Sequence, residues 1–112
     1  MSEQVKKEEI TETKKVVNVA NERIHPEAVL RVKSTSNPKA LAGSITATMK
    51  DYGHASLRCI GDGAIGRGTK AAAIASGFLK PIGVSIRLNP YFFETEIDGE
   101  PRTGIAIDIE PE

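Results

Sequence analysis

The chain has 112 residues, of which 39% are hydrophobic and 27% are charged, and its formal net charge is zero. This length holds one globular domain, large enough to fold without disulfides or metal, and the single cysteine, Cys59, excludes an internal disulfide and a multi-cysteine metal site within one chain. No window approaches the roughly 18 apolar residues of a membrane span, and no secretory signal precedes the domain, so we expect a cytoplasmic location without membrane association.

The first 26 residues differ from the rest of the chain. They mix five acidic and five basic residues with little regular apolar spacing. We therefore predict a flexible N-terminal tail over residues 1–26 and a folded domain over residues 27–112. Within that tail the run VVNVA could instead form a helical turn or an added strand in a partner, and Pro26 marks its end.

Segments of the domain in which apolar residues recur at every second position, as in strands, alternate with segments in which they recur every three or four positions, as in helices. In AVLRVKS, Ala28, Leu30 and Val32 share one side, which predicts a strand with one buried face. The next segment predicts a helix with Asn37 as N-cap, Pro38 in the first turn and Gly53 as its stop. The buried stripe of that helix should contain residues at helical spacing: Leu41, Ile45, Met49 and Tyr52.

A second strand and a second helix follow. ASLRCI alternates Leu57 and Cys59 against Arg58, which favours burial of Cys59. The helix is predicted from about Ala64 to Ser76 with Asp62 as its cap. One face of this helix carries only small residues, which allows close packing on the sheet: Ala64, Gly68, Ala71 and Ala75.

The C-terminal third predicts two more strands. GVSIRLN should place Val84, Ile86 and Leu88 inward, and the remainder reads as a long hairpin whose tip is DGEP. The return strand places Ile105, Ile107 and Ile109 on the core face. The predicted order is βαβαββ.

The loop GDGAIGRGTK, residues 61–70, contains the spacing G-x-G-x-x-G. A dinucleotide site would need this loop after the first strand and an acidic residue about 20 positions later, but residues 81–90 contain none. The order Gly68-Thr69-Lys70 also fails the phosphate-loop pattern. We therefore predict that Gly61 and Gly63 permit a turn and that Gly66 and Gly68 permit close packing, and we expect no cofactor.

The charge is unevenly distributed despite the zero net charge. Residues 27–87 carry nine basic groups against three acidic ones, whereas residues 88–112 carry Arg102 against seven acidic groups. The domain is therefore positive over residues 27–87 and negative over residues 88–112. Free N–H groups at the start of the second helix attract anions, and Arg67 and Lys70 follow on one helical face. An ordinary solvated face remains the alternative interpretation of these two residues.

Several motifs together resemble the stage V sporulation protein S (SpoVS) family. They are SNP before the first helix, GAI and KAAAIASGF in the second, and IDGEPRT at the hairpin, in the same order over about three quarters of the chain. The resemblance implies an Alba-like fold, an α+β architecture in which a four-stranded mixed sheet carries two helices on one face and a long hairpin arm. It also implies a role in sporulation or developmental regulation.

Alba proteins are dimeric nucleic-acid binders, so the resemblance implies nucleic acid as a partner. Their binding mode, transferred to this sequence, puts Lys39, Arg67 and Lys70 at the helix starts on the binding face, with Arg102 at the base of the arm. One departure is the arm itself, which is basic in Alba proteins but carries four carboxylates here: Glu94, Glu96, Asp98 and Glu100.

Two hypotheses from different classes therefore stay open. The first is a dimeric nucleic-acid-binding regulator; the second is a protein-interaction or scaffold module that uses the acidic arm and the N-terminal tail. An enzyme is not expected, because His25 and His54 lack a nucleophile at fixed spacing. We expect Glu94 and Glu96 to be solvated instead of binding a cation. We predict a homodimer that associates through helix ends and the aromatic segment Tyr91-Phe92-Phe93.

Overall fold

A computed structural model describes residues 23–112 of the chain, and most of the predicted tail lies outside them. The predicted βαβαββ order is confirmed. The elements are β1 (Val29–Val32), α1 (Pro38–Tyr52), β2 (Ala55–Cys59), α2 (Asp62–Leu79), β3 (Ile86–Ile97) and β4 (Glu100–Pro111). Short 3₁₀ turns at Pro26–Ala28 and Lys80–Ile82 precede β1 and follow α2.

The four strands form one mixed sheet in the order β1-β2-β4-β3. β1 and β2 are parallel, whereas β4 runs antiparallel to both β2 and β3. α1 connects β1 to β2 and α2 connects β2 to β3, and both connections lead from the β1 edge of the sheet toward the β3 edge. Because such crossovers are right-handed in nearly all proteins, both helices lie on one face, which we call the helix-covered face. The other side of the sheet is the open face.

The ends of α1 follow from local sequence. The Asn37 Oδ1 accepts a hydrogen bond from the N–H of Ala40 at 3.0 Å, Pro38 occupies the first turn, and Gly53 ends the helix with a left-handed φ of 81°. These three predictions are confirmed. Of the predicted stripe, Ile45 and Met49 are buried.

The predicted ends of α2 were wrong. The helix begins at Asp62, the residue predicted as its cap, instead of at Ala64. It continues to Leu79 instead of stopping at Ser76. Gly61 is the N-cap, and its φ of 90° is a conformation that glycine adopts easily. Asp62 therefore places a carboxylate in the first helical turn instead of capping the helix.

The small face of α2 packs directly on the sheet, as predicted. A Cβ added at Gly68 would lie 3.2 Å from the Cys59 Sγ and 3.3 Å from the Leu57 Cδ1. Glycine and alanine at these positions therefore allow the helix to approach the strands closely. The buried residues of this face are Ala64, Gly68, Ala71, Ala72, Ala75 and Leu79.

The hairpin of β3 and β4 turns at Asp98 and Gly99. Their φ angles of 53° and 79° match the two-residue turn that Asp-Gly favours. β2 pairs with residues 105–109 of β4, so residues 93–104, which we call the arm, continue past the end of β2. Pro90 is compatible with β3 because β3 is an edge strand.

Residues 23–26, which the sequence placed in the tail, contact the domain. Ile24 is 8% exposed, and Arg23 forms an ion pair with Glu110 at 3.0 Å. Backbone of this segment also bonds to the loop after α1, because the His25 N–H donates to the Nε2 of His54 at 3.0 Å. The packed chain thus begins before the predicted boundary at Glu27.

Candidate nucleic-acid interface

Both helices begin at the same edge of the sheet, beyond the carboxyl ends of β1 and β2. The Arg67 Nη1 donates to the Ser36 carbonyl oxygen at 3.1 Å and joins α2 to the loop before α1. At Gly63, an added Cβ would lie 3.0 Å from the Ser34 Cβ. We call this region, residues 34–39 together with residues 61–70, the helix-start edge.

Three of the four predicted binding residues lie along this edge. Lys39 is in the first turn of α1, Arg67 is in the second turn of α2, and Lys70 follows it at helical spacing; all three are exposed. Arg102 is elsewhere. It pairs with Thr95 only two pairs from the end of the hairpin, so its predicted position at the base of the arm was wrong.

The glycines of the quoted loop have different roles. Gly61 supplies the turn, as predicted, and Gly68 allows the close packing. Gly63 lacks a positive φ and instead gives room to Ser34, so its predicted role in the turn was wrong. Gly66 is exposed and a Cβ there would meet nothing within 4 Å, so the packing role predicted for it was also wrong.

The open face carries a polar network at its centre. The Ser56 hydroxyl donates to the Asp108 Oδ1 at 2.7 Å, and the Tyr91 hydroxyl donates to the same oxygen at 3.0 Å. The Arg58 Nε donates to the Ser56 Oγ at 3.3 Å. Ser56 and Asp108 are fully buried, so hydrogen bonds offset the cost of removing their polar atoms from water.

Next to this network, Arg58 lies over an aromatic ring. Its guanidinium carbon is 5.4 Å from the centroid of the Phe93 ring, within the range of a cation–π interaction. Phe93 pairs with Gly104 across the hairpin, and a Cβ at Gly104 would lie 2.6 Å from the Phe93 ring. The absence of a side chain at Gly104 therefore makes room for the Phe93 ring.

A groove of about 500 Å³ lies between the arm and the edge of β1. Because β1 and β3 are at opposite edges of the sheet, residues of both can line one groove only if the arm bends over the open face. We call this the arm groove. Its lining is Val29, Arg31, Val32, Lys33, Ser34, Arg58, Ile60, Phe93, Thr95, Glu96 and Ile97.

The lining of the arm groove is mainly apolar and basic. Arg31, Lys33 and Arg58 are its cations, and Glu96 is its carboxylate. Within residues 23–112, the ion pairs are those of Arg23 and Arg87 with Glu110. They include neither the cations of the groove nor Glu96. Alternation along β1 and β2 placed Arg31 and Arg58 together on the open face, but no local signal indicated that the arm would cover them.

The two histidines meet at the opposite end of the helices. The His25 ring stacks on Tyr52 with a centroid distance of 4.4 Å, and the His25 Nδ1 accepts from the N–H of Glu27. The Tyr52 hydroxyl donates to the Glu27 Oε1 at 2.8 Å, and this hydrogen bond raises the pKa of Tyr52. These contacts of His25, Glu27 and Tyr52 hold the segment before β1 against the C-terminal end of α1.

Cys59 is fully buried beneath α2, and this burial raises the pKa of its thiol to about 11. The thiol is therefore protonated and weakly nucleophilic near neutral pH. Residues 23–112 contain no group of three or more histidine, cysteine, aspartate or glutamate side chains placed to hold a metal ion. Neither helix of this part combines the length and apolarity that a membrane span requires.

Comparison with protein families gives a match that agrees with the resemblance seen in the sequence. The model of the family Stage V sporulation protein S (SpoVS) matches residues 28–112. This range includes all four strands and both helices, and it spans well over half of the chain. The chain therefore belongs to the SpoVS family.

Proposed function

We propose that this protein is a small nucleic-acid-binding regulator that acts in sporulation or a related developmental programme and binds phosphates at the helix-start edge. Membership in the SpoVS family supports the sporulation role. The hydrogen bond from Arg67 to Ser36 carries the proposal for binding, because it brings the starts of both helices and their basic side chains to one edge.

The start of α2 is suited to an anion. α1 has a side-chain cap from Asn37, whereas α2 is preceded by Gly61 and has no side-chain cap hydrogen bond. Free N–H groups at a helix start attract phosphate, and Arg67 and Lys70 add positive charge within the next two turns. Asp62 opposes this attraction, so we expect modest affinity that depends on salt.

The proposed mode is backbone recognition without base readout. Neutralising about three or four phosphates per subunit would give a log–log salt slope near 3 by counterion release. Lys39, Arg67 and Lys70 supply three of these contacts. Arg102 would contact nucleic acid from the arm, separately from the edge.

We also propose a homodimer, formed through exposed apolar side chains at the end of α2 and on β3; this surface keeps the helix end and Phe92 of the sequence prediction but not Tyr91 or Phe93. Of that segment, Phe93 is buried and Tyr91 is half-buried, whereas Phe92 is 67% exposed. Phe92 and Leu88 face the helix side of β3, where the helices leave them exposed. Phe78 in the last turn of α2 is 52% exposed, and Ile82 in the 3₁₀ turn that follows is 56% exposed. Burying such side chains stabilises association.

Light scattering tests the dimer. We expect a dimer mass at tens of micromolar protein and a shift toward monomer for Phe92→Ala, with Phe78→Ala as a second variant at the end of α2. A parent that stays monomeric at that concentration would remove the dimer from the proposal without affecting nucleic-acid binding.

The alternative function is a protein-interaction module. The arm supports it, because Glu96, Asp98 and Glu100 are exposed on a hairpin that extends past β2. The N-terminal tail that this hypothesis also uses lies mostly outside the described residues. An acidic hairpin would select a basic partner, and its binding would not require Arg67 or Lys70.

The test of nucleic-acid binding compares two double variants with equal charge. Arg67→Ala/Lys70→Ala removes two cations at the start of α2, and the control Lys50→Ala/Lys80→Ala removes two cations at the far ends of α1 and α2. Binding to duplex DNA, single-stranded DNA and RNA is measured over a salt series. We expect the first variant to bind more weakly and to lose about one to two units of salt slope.

The control variant should retain nearly all of the parent's affinity at each salt concentration. Equal binding by the parent and Arg67→Ala/Lys70→Ala would contradict a phosphate site at the helix-start edge. Equal losses in both double variants would mean that only net charge matters, and would contradict the assigned location.

A further inference from the structure

We propose that the arm groove is a binding site for single-stranded nucleic acid, in which one unpaired base enters the groove and the adjoining phosphates contact Arg31 and Lys33. The proposal extends the nucleic-acid binding proposed above to a second surface and a preferred strand form. It concerns the open face, whereas the helix-start edge contacts only the backbone.

The charge of the lining selects an anionic ligand. The lining includes three basic residues and one acidic residue, Glu96, and within residues 23–112 none of the three cations has an ion-pair partner. Arg31 and Lys33 are exposed at the mouth, so both can contact phosphates that stay in water. Arg58 is half-buried and lies deeper, next to the polar network of the open face.

The apolar part of the lining selects a flat, unpaired base. The Arg58 guanidinium carbon lies 5.4 Å from the centroid of the Phe93 ring, so the groove contains a planar cation beside an aromatic ring. Nucleobases stack on arginine planes and aromatic rings in single-strand recognition. Val29, Ile60 and Ile97 provide the surrounding apolar surface.

The size of the groove favours a single strand over a duplex. A volume of about 500 Å³ is within the range of sites that enclose small ligands, so one nucleotide fits. In a duplex the bases are paired and stacked, so no base enters the groove to hold the adjoining phosphates against Arg31 and Lys33. Unpaired bases can turn outward and enter it.

The arm groove is continuous with the helix-start edge. Lys33 and Ser34 line the groove, while Ser34 also packs against Gly63 at the start of α2. Arg102 pairs with Thr95 of the lining, and directly paired residues point to the same face of a hairpin. A strand that leaves the groove past Ser34 would therefore reach Arg67.

Fluorescence anisotropy with three labelled probes tests the site in the full chain. The probes are a single strand of about twelve nucleotides, a length typical of single-strand sites, the matching duplex, and the same strand with abasic positions. We expect the parent to bind the intact single strand about tenfold more tightly than the abasic strand, because a stacked base is lost. The duplex should bind like the abasic strand.

The variant Arg31→Ala/Lys33→Ala should lose most of the single-strand preference and keep its affinity for the duplex. Lys50→Ala/Lys80→Ala is the control of equal charge, and thermal melting checks that both variants fold. Equal binding of the intact and abasic strands by the parent would overturn the proposal, as would equal losses for single strand and duplex in the groove variant. Displacement of the strand by a free mononucleotide at similar concentration would overturn the assignment to a nucleic-acid strand.

The two proposals fail in different ways. If Arg67→Ala/Lys70→Ala weakens all three probes while the abasic strand binds like the intact one, the helix-start edge is supported and the arm groove is rejected. If the groove variant alone loses the single-strand preference and Arg67→Ala/Lys70→Ala binds like the parent, the groove is supported and the phosphate site at the edge is rejected.

Discussion

The two faces of the sheet are built from alternate residues of the same four strands, yet their chemistry is opposite. On the helix-covered face, Leu57, Cys59 and Ile109 are fully buried, and the inner side of α2 is mostly alanine and glycine. On the open face, Ser56 and Asp108 are equally buried, but they are held by hydrogen bonds. Burial on one face rests on apolar contact and on the other on polar pairing.

Because of this difference, we expect the helix-covered face to determine the stability of the fold and the open face to bind ligands. Close packing of small residues leaves no room for a ligand on the helix-covered face. The open face has the cations and the groove, because no helix covers it and the arm bends over only part of it. We expect substitutions on the helix-covered face to change the free energy of unfolding, and exposed substitutions on the open face to change binding.

The largest expected effect is a loss of stability from a substitution on the open face, which tests whether stability depends on the helix-covered face alone. Phe93 belongs to the open face but is only 6% exposed, so Phe93→Ala should lower the free energy of unfolding by about 3 kcal/mol through lost burial and a cavity. Phe92→Ala is the control at a protein concentration low enough for both variants to be monomeric, since this neighbour is exposed in the single chain and should cost less than about 1 kcal/mol there. Urea denaturation of the two variants gives the comparison. Similar costs would show that the Phe93 ring does not stabilise the domain.

Next comes Gly68 on the helix-covered face. Gly68→Val should cost about 1 to 3 kcal/mol, because the branched side chain would overlap Cys59 and Leu57. Gly66→Val in the same helix is the matched control, since its Cβ would meet nothing within 4 Å. Thermal melting should show a lower midpoint for the first variant only. A parent-like midpoint for Gly68→Val would contradict the packing role of this glycine.

A smaller effect concerns the Cys59 thiol at high pH. Burial raises its pKa from 9.0 to about 11, so between these values the folded protein binds more protons than the unfolded chain. Stability from this group is therefore complete below about pH 9 and falls as the pH rises toward about 11. Urea denaturation at several alkaline pH values should show a steeper decline for the parent than for Cys59→Ala. Parallel curves would contradict the effect of burial.

The smallest expected effect concerns the carboxylate in the arm groove. Glu96→Gln should raise affinity for single-stranded nucleic acid about twofold, since the repulsion by one exposed charge is about 0.5 kcal/mol. Glu112→Gln, at the other end of β4, is the control and should leave binding unchanged. Anisotropy at low salt measures both. Unchanged binding by Glu96→Gln would place the phosphates away from the arm.

Part of the geometry of the proposed site was predictable from the sequence and part was not. Lys39, Arg67 and Lys70 were placed at helix starts because helix boundaries follow from nearby residues such as Pro38. Arg102 was misplaced along the arm, because the sequence does not tell how far β2 pairs along β4. The relation of Arg58 to Phe93 was missed, because it depends on the cross-strand pair of Phe93 with Gly104.

By itself, the sequence determined the order of the elements, the cap and stop of α1, and the small face of α2. Each depends on interactions within a few positions, where side-chain period, glycine conformation and capping chemistry act directly. Only the tertiary structure decided that Arg67 meets Ser36, 31 positions away, and that the arm bends over the open face. Those contacts depend on the direction of two crossovers and the register of a long hairpin, which no local pattern specifies.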